Sequence, residues 1–389
     1  MSRPAVEVAD ILRAHDASFF DRNQSWLTFQ HLTVLRAISR CRTAALGGHI
    51  DSCSRCGHQA ISYNSCRNRH CPKCQTQARQ RWLAARERDV LGVPYFHVVF
   101  TLPHDLIPLC QNNAAVLYDL LFRASAATML EVARDPKHLG AEIGFLSILH
   151  TWGQNLLLHP HLHCVVPAGG LAPDHKRWIH PKYRFLLPVK VLSRVFRGKF
   201  VQALRRAFRQ KKLRFSASTS ELAAPKKFAA FLRRLFRQDW VVYAKPAFGG
   251  PEAVLRYLGR YTHRVAISNH RLLAFDGERV AFRWKDYAHG NKQRVMTLSA
   301  TEFLRRFAQH ILPRGFVRIR QFGFLANGCR TALLTLSRSL IGFTPKPREP
   351  CEAAADAVWQ CPRCRAPMLV GPNLTYSQLV RRCILLDSS

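Results

Sequence analysis

Acidic residues are scarce in this chain of 389: Asp and Glu number 24 against 59 Lys and Arg, a formal net charge of +35. So lopsided a balance points to a polyanionic partner, nucleic acid before an acidic membrane. Long apolar runs are also missing. No stretch approaches eighteen consecutive apolar residues, and the opening MSRPAVEVADILRAHDASFF has no signal-peptide core. With no lipidation signal at either end, the expectation is no membrane partner and a cytoplasmic location. Charged residues stay at 21% and apolar ones reach 48%, so composition speaks against disorder and for a buried core. Solenoid-type repeats are lacking.

What the chain has instead is cysteine, thirteen in all, which in a reducing compartment reads as metal ligands or buried apolar groups. Composition divides the chain into residues 1–90, with a dense cysteine cluster; 91–345, with alternating strand-like and helix-like segments; and 346–389, a tail with one more CxxC. YFHVVFTLP (95–103) and HLHCVVPAGG (161–170) read as strands. Residues 113–133 read as a helix, and 271–287 as a hairpin turning at Asp276-Gly277. The mixture predicts an α+β fold with a sheet flanked by helices.

Cys53-x2-Cys56 and Cys71-x2-Cys74, fourteen residues apart, have zinc-ribbon spacing, and two such turns close one tetrahedral four-thiolate Zn²⁺ site. Cys41, Cys66, His58 and His70 lie near enough to replace a ligand or build a second site. Arg67, Arg69 and Lys73 make this module a candidate DNA-phosphate contact. Cys361-x2-Cys364 reads as a second zinc knuckle, with Cys351 and Cys383 as candidate partners. A basic run from Arg194 to Arg237 carries fourteen Lys or Arg against Glu221 alone. Its first part, with Phe196, Phe200, Leu204 and Phe208 in register, reads as an amphipathic helix whose charged face tracks a DNA backbone.

In HPHLHC, His161 and His163 are i and i+2, so on a strand they leave the same face and converge as a divalent-metal pair. The third ligand is open among His159, Gln154 and His150. In PEAVLRYLGRYTHRVAIS, a helix starting near Pro251 puts Tyr257 and Tyr261 one turn apart, with Arg256, Arg260 and Arg264 around them.

The combination of SCRNRHCPKCQ, TWGQNLLLHPHLHCVVPAGGL and YLGRYTHRVAIS resembles the HUH endonuclease superfamily, and more closely the two-tyrosine rolling-circle transposases of bacterial insertion sequences. The resemblance covers roughly residues 30 to 330. It implies a central antiparallel sheet with flanking helices, related to the RNA-recognition fold. His161 and His163 would then hold Mg²⁺ or Mn²⁺, Tyr257 and Tyr261 would be nucleophiles, and Cys53, Cys56, Cys71 and Cys74 would hold structural Zn²⁺. The substrate it implies is single-stranded DNA at element termini and target, cut through a 5′-phosphotyrosine, with no small-molecule substrate and a nucleoid-associated location. An HUH replication initiator or relaxase shares the chemistry, but the zinc module favours the transposase. A non-catalytic zinc-dependent DNA-binding regulator is the rival from another class. Chemistry built on three converging carboxylates is disfavoured by how few acids there are.

Overall fold

Runs rich in β-branched and aromatic residues, such as YFHVVFT and GFLSILHTW, form strands in the computed structural model. It describes residues 4–183, 185–248, 253, 259, 266–287, 289–344 and 359–386. In chain order the described strands are β1 (Gly48–Cys53), β2 (Gln59–Tyr63), β3 (Tyr95–Thr101), β4 (Gly144–Trp152), β5 (Leu158–Pro167), β6 (Gly170–Leu171), β7 (Trp178–Ile179), β8 (Val242–Phe248), β9 (Leu272–Phe275), β10 (Arg279–Asp286), β11 (Lys292–Ser299), β12 (Ile319–Gly323), β13 (Met368–Leu369) and β14 (Asn373–Leu374). The main helices begin with α1 (Val8–Arg22), α2 (Phe29–Ser39), α3 (Gln75–Glu87), α4 (Ile107–Asn112), α5 (Ala114–Arg134), α6 (Val189–Arg209) and α7 (Pro225–Arg237). Further helices cover Ala300–Ala308, Arg330–Ile341 and Tyr376–Leu386. The class is α+β, with antiparallel sheets and flanking helices, as the sequence predicts.

The described residues fall into two units. One lies within Met1–Ala78, Ile267–Ala308 and Lys346–Ser389, the other within Arg79–Ala266 and Gln309–Pro345.

In the first unit three distant stretches of chain meet. β1 pairs antiparallel with β2, and the tail strands β13 and β14 add to β1, with Cys53 opposite Met368 and Gly48 opposite Leu374. A Cβ on Gly371, between the two tail strands, would stand 2.1 Å from the Ile50 carbonyl oxygen, so only glycine allows that crossing. The meander β9–β10–β11 pairs antiparallel throughout, turning at Gly277, where φ is +102°. Asn269 is buried and accepts the Val8 N–H at 3.2 Å, satisfying one of the orphan donors at the start of α1.

The second unit is built on a five-stranded antiparallel sheet in the order β12-β4-β5-β3-β8. Central β5 has buried residues on both faces, hence the unbroken apolar run Cys164–Pro167 in its second half. One face carries Val98, Phe100, Leu149, Leu162 and Cys164, which pack with Leu121 and Phe122 of α5 and Phe196, Phe200 and Leu204 of α6. Phe100, Phe122, Phe196 and Phe200 are fully buried, each worth about 1.5–3 kcal/mol of transfer free energy. On the opposite face, Leu146, Ile148 and Val165 pack with Trp178, Phe324 and Leu334. That second cluster stops short of the sheet's far end, where the histidines lie.

Candidate metal centres

Register brings four histidines to one end of one sheet face. His161 on β5 stands opposite His150 on β4 and Thr101 on β3, and His163 stands opposite Ile148 and Val99. Residues opposite one another share a face, as do i and i+2, so His150, His161, His163 and His97 all emerge on the same side. One ring nitrogen from each of His150, His161 and His163 can be chosen so that all lie within 4.8 Å of one another. The His161–His163 convergence expected from the sequence is therefore present, and His150 completes the triangle.

His159 does not join that group. Between His150 and Trp152 on β4 the register slips: His150 faces His161, but Trp152 faces Leu158, so β5 carries one extra residue there. The bulge accommodates Pro160, which has no N–H to give the ladder, and it takes His159 out of the i, i+2 alternation. The His159 ring lies 5.1 Å from that of His161 and 5.9 Å from that of His104, but it is not among the three imidazoles whose nitrogens come within 4.8 Å of one another. Gln154 sits in the β4–β5 turn.

The cluster is locked from several sides. Trp152 stacks on His150 with ring centroids 4.5 Å apart and planes at 19°. His161 Nδ1 donates to the His159 carbonyl at 2.6 Å, which leaves Nε2 as its lone-pair nitrogen. His310 Nε2 donates to the Leu156 carbonyl at 3.0 Å, and its Nδ1 lies 3.2 Å from Thr151 Oγ1. These contacts fasten the turn in which Leu156 adopts a left-handed φ of +62°.

Burial sets the protonation of the site. It pushes the His161 imidazolium down to about 4, opposed by the hydrogen bond to His159. Burial, with Lys245 and His161 nearby, pushes His97 down to about 4 as well. At neutral pH both rings are uncharged and can offer lone pairs.

The cysteines assemble into two four-sulfur groups in the first unit, Cys41, Cys66, Cys71 and Cys74 in one, Cys53, Cys56, Cys361 and Cys364 in the other. This is a different partition from the expected Cys53–Cys56–Cys71–Cys74 set. The two CxxC turns are neighbours in sequence, but β13 lies beside β1 and brings the tail knuckle onto Cys53 and Cys56. The end of α2 brings buried Cys41 onto the other turn. In the tail-closed group Sγ distances are 3.4 Å for Cys53–Cys364 and 3.6 Å for Cys56–Cys361. Residues following each second cysteine turn left-handed, Gly57 at φ +71° and Arg365 at +60°, as tight knuckles require. Backbone N–H groups of Cys56 and Arg55 donate to Cys53 Sγ at 3.4 Å, and with the neighbouring thiols they lower it to about 6, burial opposing. In the other group Cys41 is lowered to about 7, chiefly by a hydrogen bond from Cys66, and Cys74 is lowered by Cys41 and Cys66. The same mutual hydrogen bonds push Cys66, Cys71 and Cys364 up, so each group holds thiols of both kinds, and the lowered ones are the first to offer a thiolate. His70 belongs to neither group, its Nδ1 lying 3.2 Å from Asn68 Oδ1.

Of the residues expected on DNA, Arg67 is exposed and Arg69 half-buried. Lys73 is not on the surface: it is ion-paired with Glu7, the two side chains 10% and 7% exposed. Tyr257, Tyr261, Arg256, Arg260, Arg264 and Cys351 lie outside the described residues, as does the side chain of Cys383. Sequence reasoning missed His97. It lies one strand over from the HPHLHC segment, within a run that reads as plain apolar strand, and no local spacing links the two.

Residues 144–332, which hold all three histidines of the group, match a family model described as "Putative transposase", and residues 11–102 match one described as "Transposase zinc-binding domain". The class defined is thus a transposase with a zinc-binding domain. Cys361 and Cys364 fall beyond both matched segments. The chain is 50% identical over 381 residues (95% of this chain, 96% of the relative) to "Putative transposase y4qJ" of Sinorhizobium fredii. It is 30% identical over 359 residues (85% of this chain, 81% of the relative) to "Transposase for insertion sequence element IS801" of Pseudomonas savastanoi pv. phaseolicola. The chain belongs to the IS91/IS801 family of insertion-sequence transposases. No solved structure matches it significantly. Among the described residues no helix is long and apolar enough to cross a membrane.

Proposed function

We propose that this transposase nicks and rejoins single-stranded DNA at mobile-element ends through a 5′-phosphotyrosine, with Tyr257 and Tyr261 as nucleophiles and His150, His161 and His163 holding a divalent cation. The observation that carries the reading is the meeting of those three imidazoles within 4.8 Å at one end of a rigid sheet. The donor set fits such an ion: His161 is neutral at physiological pH, and its Nε2 is left open. Three nitrogen donors suit Mn²⁺ better than Mg²⁺, which prefers oxygen. When bound, the cation supplies positive charge to the non-bridging oxygens of the scissile phosphate.

The protein's own groups do the rest. A tyrosine hydroxyl loses its proton to water as its oxygen attacks phosphorus; the phosphorus–3′-oxygen bond breaks, and that oxygen takes a proton from water and leaves as a 3′-hydroxyl. Rejoining is the reverse, a 3′-hydroxyl displacing the tyrosine, so phosphodiester bonds are conserved without ATP. A second tyrosine cleaves again while the first still holds a 5′ end. Arg256, Arg260 and Arg264 are proposed to neutralise phosphate charge near that helix, and Arg67 and Arg69 to contact DNA from the zinc-binding module. The cysteine groups would hold structural Zn²⁺. This substrate puts the enzyme in the bacterial cytoplasm with nucleoid DNA.

The test is covalent capture. Purified protein is incubated with labelled single strands from the flanks of its gene plus Mn²⁺ or Mg²⁺, then run on a denaturing gel. A protease-sensitive shifted band is expected that needs cation and His161 and disappears when Tyr257 and Tyr261 are both Phe. DNA binding with no adduct on any strand, with either cation, would leave the non-catalytic regulator as the better account.

A further inference from the structure

On the sheet face away from the histidines, α5 and α6 lie side by side, and between them and the 313–317 turn opens a cleft of about 670 Å³. That volume is within the range of about 300–1,000 Å³ that holds a nucleotide-sized ligand. Its floor is apolar, with Leu120, Ala203 and the buried Phe316, but six cations line it: Arg123, Lys199, Arg206, Lys212, Arg314 and Arg320.

The one acid in the lining, Asp119, is already used. Its Oδ2 takes Arg123 Nε at 2.7 Å and its Oδ1 takes Arg320 Nη1 at 2.7 Å. Arg320 is further held over the rings of Phe122 and Phe316, 4.3 and 5.3 Å from their centroids, so its guanidinium is fixed in advance. Lys199 pairs with Glu131 outside the cleft. Among the described residues no acid pairs with Arg206, Lys212 or Arg314, all exposed. Like charges gathered in a concave, partly apolar site repel one another and focus a positive field, which a bound anion relieves. Neither Trp nor Tyr lines the cleft, and its one aromatic residue, Phe316, is buried with the Arg320 guanidinium over its ring, so the cleft presents cations to the backbone rather than an open ring to bases. A cleft of about 670 Å³ takes a short stretch of one strand and is too small for a duplex, which would rest on the rim.

We propose that this cleft is a second single-stranded DNA site, which grips a strand by its phosphates without regard to sequence while the histidine face works on another. The proposal rests on the reading of this chain as an enzyme of DNA strands, but not on the tyrosine chemistry.

The test is the salt dependence of binding of a fluorescent oligo-dT to the full chain, without divalent cation. The wild type is compared with Arg206→Ala/Lys212→Ala/Arg314→Ala, and with Lys137→Ala/Lys176→Ala/Arg177→Ala, which removes equal charge from exposed loops elsewhere. Each phosphate contact on a single strand contributes about 0.7 to the slope of log K against log salt, so the cleft variant should lose about 2 and the loop variant almost nothing. A blunt duplex should show no such loss. Arg206→Glu alone, a single exposed change, should flatten the slope in the same direction if the triple variant folds poorly. Equal slopes in wild type and cleft variants, an equal loss in the loop variant, or an equal loss on duplex would overturn the proposal. A wild type that binds oligo-dT but forms no adduct would remove the tyrosine chemistry and leave the cleft standing.

Discussion

His97 Nε2 and His163 Nδ1 are 2.8 Å apart, their rings stacked at 5.0 Å and 9°. Only one of the two nitrogens carries the proton. If His163 donates from Nδ1 and His97 accepts, His163 keeps its Nε2 lone pair for the proposed cation, and His97 orients that ring. His97 is buried at 5% exposure on β3 and lies outside the three-histidine group, so it acts through His163.

His97→Leu should weaken Mn²⁺ binding about 10–100-fold, the usual effect of losing such a support. His97→Gln, which can still accept the hydrogen bond, should restore part of it. Titration of Mn²⁺ by electron paramagnetic resonance checks both. Equal affinities in wild type and the Leu variant would assign His97 to packing alone.

The bulge at Pro160 makes a second comparison sharp. His150→Ala should remove a cation ligand and abolish adduct formation at ordinary Mn²⁺ concentrations, whereas His159→Ala should leave cation affinity within about twofold. At equal concentration Mn²⁺ should support more adduct than Mg²⁺. The reverse order of the two histidine variants would put His159 in the site.

For the cysteines the expected outcome is a metal count. Two zinc ions should be found per chain by atomic emission. Cys361→Ser and Cys41→Ser should each lower the count to one, and the double variant to none. Because zinc binding is coupled to folding, each single variant should also lower the melting temperature. A Cys361→Ser protein that keeps both ions would show that the tail knuckle does not share a site with Cys53 and Cys56.

Burial lowers His310 from 6.5 to about 4. Between those values the unfolded chain binds the proton and the folded chain does not. Stability is therefore complete above pH 6.5 and falls as the pH drops toward 4, by on the order of 3 kcal/mol. Urea unfolding of wild type and His310→Gln across pH 4–7 should show a steeper decline for the wild type; parallel curves would remove His310 as the source.

Lys73 and Arg67 should separate stability from DNA binding. Breaking the buried Lys73–Glu7 pair with Lys73→Ala should lower the melting temperature, because the buried Glu7 carboxylate would lose this cation. Arg67→Ala should leave the melting temperature unchanged and reduce the salt slope of DNA binding by about 0.7–0.9. Calorimetry and fluorescence anisotropy on the two variants distinguish the roles.

Local pattern alone determined a good part of this protein. The charge, the α+β class, β3 and β5, α5 and α6, the β9–β10 hairpin and the His161–His163 convergence all follow from periodicities of two and 3.6 and from turn residues, which act over a few positions. The expected nucleophiles Tyr257 and Tyr261 were legible as an i, i+4 pair, though they lie outside the described residues. Tertiary structure decided what depends on which strands become neighbours. It set His150 opposite His161, brought His97 onto His163, and left His159 aside through a bulge that only the β4–β5 register reveals. It also partitioned the cysteines, since a CxxC turn supplies half a site, and its other half is fixed by the strand or helix that packs against it. In the same way α6 shows a charged face in its sequence, but the cleft needs α5 and the turn around Gly315 to close it. Spacing specifies which side chains share an element; pairing register and packing specify which elements meet, and those depend on contacts hundreds of residues apart.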